Sequence, residues 1–158
     1  MNPTAYHEAG HAVMALIVGR HITLSTIESD GKWLARTELE DTVEPPPDTP
    51  EWDRWNEDEI MVKCAGFVAE EKCVGSAICL PVRLAAHPGD ESLYIARRKY
   101  PEPRTCNDYL YRMLARTKER IAQRWADVEA IAAAFEQHGR LGGAEIDRVL
   151  QPSWNRAK

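Results

Sequence analysis

The chain has 158 residues, a formal net charge of -5, 44% hydrophobic and 28% charged residues, which fits one globular domain. Phosphate binding relies on clustered Lys and Arg, and here the basic stretch Arg97-Arg98-Lys99 is short and reads as a solvated helix end, so nucleic acid is not an expected partner. No run approaches the ~20 apolar residues that span a bilayer, and the N-terminus lacks the basic region of a signal peptide, so the expected location is cytoplasmic and no membrane segment is expected.

The four cysteines, Cys64, Cys73, Cys79 and Cys106, form no Cys-x-x-Cys pair. They are expected to be free thiols rather than a disulfide framework.

The predicted elements begin with a helix over residues 1–19. Asn2 can cap it, Pro3 suits its first turn, and Gly19 stops it. Next, Ile22, Leu24, Thr26 and then Trp33, Ala35, Thr37 alternate around the turn signal Ser29-Asp30-Gly31-Lys32. This predicts a β-hairpin over 21–40. "DTVEPPPDTPEWD" reads as a loop, because three consecutive prolines continue neither helix nor strand. A second, central and buried helix is expected over 58–75, ended by Gly75. A short helix is expected in "DESLYIARRKY", ended by Pro101 and Pro103. Residues 105–150 read as C-terminal helices: one long amphipathic helix or two in tandem up to His138, then a short one in "GGAEIDRVL". The fold class is mainly α with a small antiparallel β-hairpin or sheet.

The first helix carries the chemistry. "TAYHEAGHAV" places His7 and His11 four apart, on one helix face, where two imidazoles can reach one Zn²⁺ at about 2.0–2.1 Å. Glu8, beside the first ligand, can take a proton from a water that the metal activates. That is the H-E-x-x-H arrangement. Gly10, inside the motif, leaves room for a neighbouring chain to approach closely. Burying two histidines and a glutamate among apolar residues without a metal costs several kcal/mol of desolvation. A zinc site of this kind needs a third protein ligand. Glu70 and Glu71 on the second helix, and His87 and Asp90 at a loop-to-helix junction, are the candidates. Asp90 also suits a helix N-cap. Glu70 or Glu71 could instead pair with Lys63 or Lys72, or hydrogen-bond a ligating histidine. Spacing leaves the choice open.

"AYHEAGHAV" resembles the zinc-peptidase domain of the FtsH-type proteases. "AGFVAEEKCVG" is similar to the Gly-Gly-Arg-x-Ala-Glu-Glu segment of that family, with Ala65 and Phe67 where the family has its first Gly and its Arg. "HPGDESLYIARR" resembles the Ala-Ser-Asn-Asp segment, with Gly89 in place of the Asn, and "AIAAAFEQHGRLGGAEIDRVL" resembles the helical end. The resemblance implies an FtsH-type zinc peptidase fold with His7, His11 and Asp90 as metal ligands and Glu8 as catalytic base. Glu70 and Glu71 would then be structural, or support a ligand from behind. It also implies a polypeptide substrate, added as a strand along the edge of the 22–39 hairpin. The family's ATPase module would precede the domain. No Gly-x-x-x-x-Gly-Lys-[Ser/Thr] phosphate loop occurs in the chain, so a peptidase-like domain standing alone, or one cut from a longer chain, is expected, ATP-independent in isolation, with a separate ATPase or self-association as possible partners. Two other readings stay open: a catalytically weak, zinc-stabilised interaction module, and a regulatory protease of narrow specificity.

Overall fold

The computed structural model describes residues 1–29, 31, 35–75 and 91–154. The elements in chain order are α1 (Pro3–Ile17), β1 (Ile22–Thr26), β2 (Arg36–Leu39), α2 (Pro50–Val74), α3 (Glu91–Lys99), α4 (Pro103–Gln123), α5 (Trp125–His138), β3 (Arg140–Gly142) and α6 (Gly143–Trp154). The chain is mainly helical with one small antiparallel sheet, as its patterning predicts.

The local chemistry explains most boundaries. The Asn2 side chain accepts from the Thr4 amide at 3.0 Å and caps α1, with Pro3 at the first helical position. Gly75, in the left-handed region at φ 68°, ends α2. The 105–138 stretch is two helices in tandem, α4 and α5, joined at Arg124.

Three expectations need correction. The central helix starts at Pro50, not near residue 58. Its cap is Thr49, whose hydroxyl accepts from the Trp52 amide at 3.1 Å. Pro50 sits at the start, where a missing N–H leaves no bond unmade. The sheet also has a third strand, β3, and its order is β2-β1-β3. The two-residue alternation expected across the hairpin breaks as well. The register shifts between Ile22 and Leu24. Beyond that irregularity Ser25 and Thr26 are both buried while Leu24 is only half-buried.

Two apolar clusters hold the elements together. The larger joins Ala9, Val13 and Met14 of α1 to Ala65 and Val68 of α2, Val128, Ile131 and Phe135 of α5, and Ile146 and Leu150 of α6. The smaller packs Ile60 and Cys64 of α2 against Ile95 and Ala96 of α3 and Cys106, Tyr109, Leu110 and Met113 of α4. Ion pairs Arg98–Glu44 and Lys99–Asp53 tie the C-terminal end of α3 to the start of α2 and the loop before it. Cys64, Cys73 and Cys106 form no disulfide with one another; Cys79 lies outside the described residues.

α1 and α2 approach each other closely in the core. A Cβ on Gly10 would lie 2.9 Å from the Ala65 carbonyl carbon and 2.7 Å from the Ala69 Cβ, and closer still to the Ala65 oxygen. These are backbone and stub atoms that cannot swing away. The neighbouring chain for which Gly10 leaves room is therefore α2. Gly10→Ala gains up to about 1 kcal/mol of helix propensity but overpacks the crossing at a cost of about 1–3 kcal/mol. Chemical denaturation should show a net loss of about 1–2 kcal/mol. A stabilised Gly10→Ala protein would mean that the two helices are not in this contact.

Candidate metal centre

The helix crossing that excludes a Cβ at Gly10 also faces His7 and His11 toward α2. The two Nε2 atoms come to 3.0 Å from each other. Both Nδ1 atoms are committed elsewhere. His11 Nδ1 lies 2.7 Å from the Val62 carbonyl oxygen. A carbonyl only accepts, so His11 Nδ1 carries a proton. His7 Nδ1 lies 3.0 Å from Glu70 Oε2, and a carboxylate fixes the same tautomer there. In the neutral rings, Nε2 is then the lone-pair nitrogen of each. His11 is neutral over the ordinary pH range: burial first, then the His7 ring and the Lys63 charge, pushes its pKa down to about 3.

Two lone pairs aimed at each other repel unless a cation lies between them. Two ligands at about 2.0–2.1 Å from a tetrahedral zinc stand about 3.3 Å apart, close to the observed spacing. Gly66 lets the two rings approach the α2 backbone closely. A Cβ on Gly66 would lie 2.7 Å from His7 Nε2 and Cδ2, and closer to His11 Nε2. A glycine inside a buried helix is normally a liability of about 1 kcal/mol; here a side chain would occupy the place that the imidazoles face. Phe67 packs edge-on against His7, with ring centroids 4.9 Å apart, and gives the site an apolar wall. The residues thus fit a zinc ion on two counts: tautomer and spacing.

Among the described residues, no group of three His, Cys, Asp or Glu side chains comes together as a metal site. The first-helix pair is brought together and the expected third ligand, Asp90, lies outside the described residues, as does His87. Glu70 is on the Nδ1 side of His7, behind the ring. That is the position of a carboxylate that orients a ligating histidine, which sets its tautomer and raises its basicity. Glu71 pairs with Lys118 of α4 at 3.0 Å, not with Lys63 or Lys72.

Glu8 faces a cleft of about 450 Å³ beside the histidines, whose walls come from α1, α2 and β2. It is only 4% exposed. Its Oε2 accepts from the Thr37 hydroxyl at 2.7 Å. Burial pushes its carboxyl up to about 7, against the opposing effect of that hydrogen bond. A carboxyl near neutrality can both accept and return a proton. Arg20, ion-paired to Glu59, together with Arg36 and Lys63, adds positive charge along the walls. Sequence reasoning missed Gly66 and Thr37. A glycine in the middle of a buried helix was the available signal for the first. No sequence signal identifies the second.

Two outcomes check this geometry. Gly66→Ala should fold, since alanine favours helix, yet its methyl should displace the imidazoles and lower zinc content by at least tenfold on metal analysis. Full zinc occupancy would contradict the close packing of the imidazoles on Gly66. The second outcome is a pH dependence in protein stripped of metal by a chelator. The Glu8 pKa is raised from 4.5 to about 7, so its contribution to stability is complete below about pH 4.5 and is lost as pH rises through 7. Glu8→Gln should therefore gain on the wild type across that window, by about 2–3 kcal/mol at pH 8 relative to pH 4.5. A flat difference in denaturation free energy would refute the raised pKa.

The sequence matches no protein-family model and no curated protein.

Proposed function

We propose that this chain is a zinc-dependent metallopeptidase of the FtsH-type fold that hydrolyses peptide bonds in unfolded or flexible polypeptides. The observation that carries it is the pair of Nε2 atoms converging at 3.0 Å beside a buried glutamate. Zinc bound by His7, His11 and Asp90 would supply Lewis-acid polarisation of the scissile carbonyl and a water of lowered pKa. Asp90 directly precedes α3 in sequence, and α3 packs on α2, the helix that carries Gly66 and Glu70; that adjacency supports it as the third ligand.

The chain's own residues do the rest. Glu8 takes a proton from water at its carboxylate and returns it to the leaving amine. Glu70 and the Val62 carbonyl hold the two imidazoles in one tautomer. β2 lies at an edge of the sheet and lines the cleft, which supports an extended substrate added as a further strand. Main-chain pairing of this kind gives loose sequence preference. It also requires about ten extended residues, which stable domains withhold by ~5–15 kcal/mol.

No helix among the described residues is long and apolar enough to cross a membrane. The retained Glu8 favours catalysis over the zinc-stabilised interaction module, because holding zinc does not require it. A regulatory protease that cuts one partner would share the same centre and differ in substrate range.

Purified protein should carry one zinc per chain. His11→Ala and Asp90→Ala should lose it, and Glu70→Ala should retain part. Glu8→Gln should keep zinc and lose ~10²–10⁴ in turnover of an unfolded protein, and chelators should abolish wild-type activity. Emptying of the site by Glu70→Ala but not by Asp90→Ala would make Glu70 the third ligand. Unchanged turnover in Glu8→Gln would remove the mechanism. With no phosphate loop in the chain, cleavage of a destabilised domain should exceed that of its stable parent, with no effect of ATP. ATP-dependent cleavage of the stable domain by the purified chain alone would contradict this.

A further inference from the structure

A chain of two hydroxyls runs from the sheet to Glu8. Thr37 Oγ1 lies 2.7 Å from Glu8 Oε2, and Ser25 Oγ lies 2.7 Å from Thr37 Oγ1. Ser25 is fully buried on β1, and Ser25 and Thr37 are register partners across the β1–β2 pair. The directions of these bonds follow from proton counting. Each hydroxyl has one proton, and an ionised carboxylate only accepts. The Thr37 proton therefore goes to Glu8, because the Glu8 main-chain oxygen, at 3.4 Å, is the poorer acceptor. With that proton committed, the Thr37 oxygen is an acceptor, and Ser25 donates to it.

We propose that Thr37 is a positioning residue for Glu8, with Ser25 setting the direction of the Thr37 hydroxyl. This rests on the metallopeptidase reading above. A glutamate reaches its target through three rotatable bonds, and catalytic groups lose rate when misplaced by about 1 Å. The Thr37 bond fixes Oε2 and with it the plane of the carboxylate. Oε1 is left as the oxygen that takes the proton from water and returns it. Because Thr37 sits on the edge strand, the same residue couples the base to the strand that would pair with substrate.

A merely structural tie between α1 and the sheet would act on stability and not selectively on turnover. The test compares zinc-loaded wild type with Thr37→Val, Thr37→Ser and Ser25→Ala. Thr37→Val should keep its zinc and its KM within about twofold, while kcat falls about ten- to hundredfold, the factor expected for a hydrogen bond to a charged group. Thr37→Ser should recover most of kcat. Ser25→Ala should lose less than Thr37→Val and add nothing in its background; it carries the comparison if Thr37→Val does not fold. Independently of activity, crystal structures of the zinc-loaded proteins should have Glu8 in one rotamer in the wild type and in more than one in the variant lacking the hydroxyl. Wild-type kcat in Thr37→Val and Ser25→Ala, or an unchanged Glu8 conformation, overturns the proposal. A zinc-loaded wild type that hydrolyses nothing overturns the peptidase reading, and the crystallographic comparison still decides whether Thr37 positions Glu8.

Discussion

The contact between Gly10 and the Ala65 carbonyl sets the rest of the structure. Helices normally pack with their axes 8–10 Å apart, the distance depending on the side chains at the contact. Here the contact residues are Gly10, Ala65, Gly66 and Ala69, and the backbones nearly touch. His7 and His11 flank Gly10 on α1 and reach across to α2, so the distance between the helices determines which α2 atoms meet the imidazoles. At this distance they are the Val62 carbonyl and the Glu70 carboxylate. The same small residues thus serve the core and the candidate metal centre. A substitution that separated the helices would loosen both together.

The electrostatics of the centre have a single logic. Burial makes charge costly on His11 and Glu8. A neutral imidazole keeps a lone pair for a metal, and a carboxyl near neutrality is suited to moving a proton. The opposing influences are local and few: a carbonyl on one ring, a carboxylate on the other, one hydroxyl on the base. A cation between the two Nε2 atoms would remove the repulsion between them and would lower the Glu8 pKa by its own charge. Loading the centre therefore changes the protonation of its base, and the pH behaviour of stripped and loaded protein should differ for that reason.

Much of this was legible in the sequence. The H-E-x-x-H spacing identified one helical face, and the helix patterns located α1, the end of α2, α3, the helical stretch up to His138 without deciding between one helix and two, and α6. What failed, failed for physical reasons. The proline-rich stretch before Trp52 reads as loop, yet Pro50 is also the residue best suited to open a helix. β3 has three residues, too few to display alternation. The register irregularity after Ile22, with both Ser25 and Thr26 buried, broke the alternation, which no periodicity argument can foresee. Gly66 was legible in principle, as an unexplained glycine within a buried helix. Thr37 was not, because its role arises from a partner twenty-nine residues away on another element. The FtsH-type resemblance contributed Asp90, which helical spacing alone could not choose over Glu70, Glu71 or His87.

The central claim is that the two converging imidazoles hold zinc. X-ray absorption at the zinc edge of the purified protein tests it most directly. The expected spectrum has a shell of nitrogen and oxygen atoms at about 2.0–2.1 Å with the multiple scattering of two imidazoles, and no sulfur. That pattern should vanish in His11→Ala. Absence of zinc from protein purified without chelators and supplied with the metal, or a sulfur shell near 2.3 Å, would contradict the account.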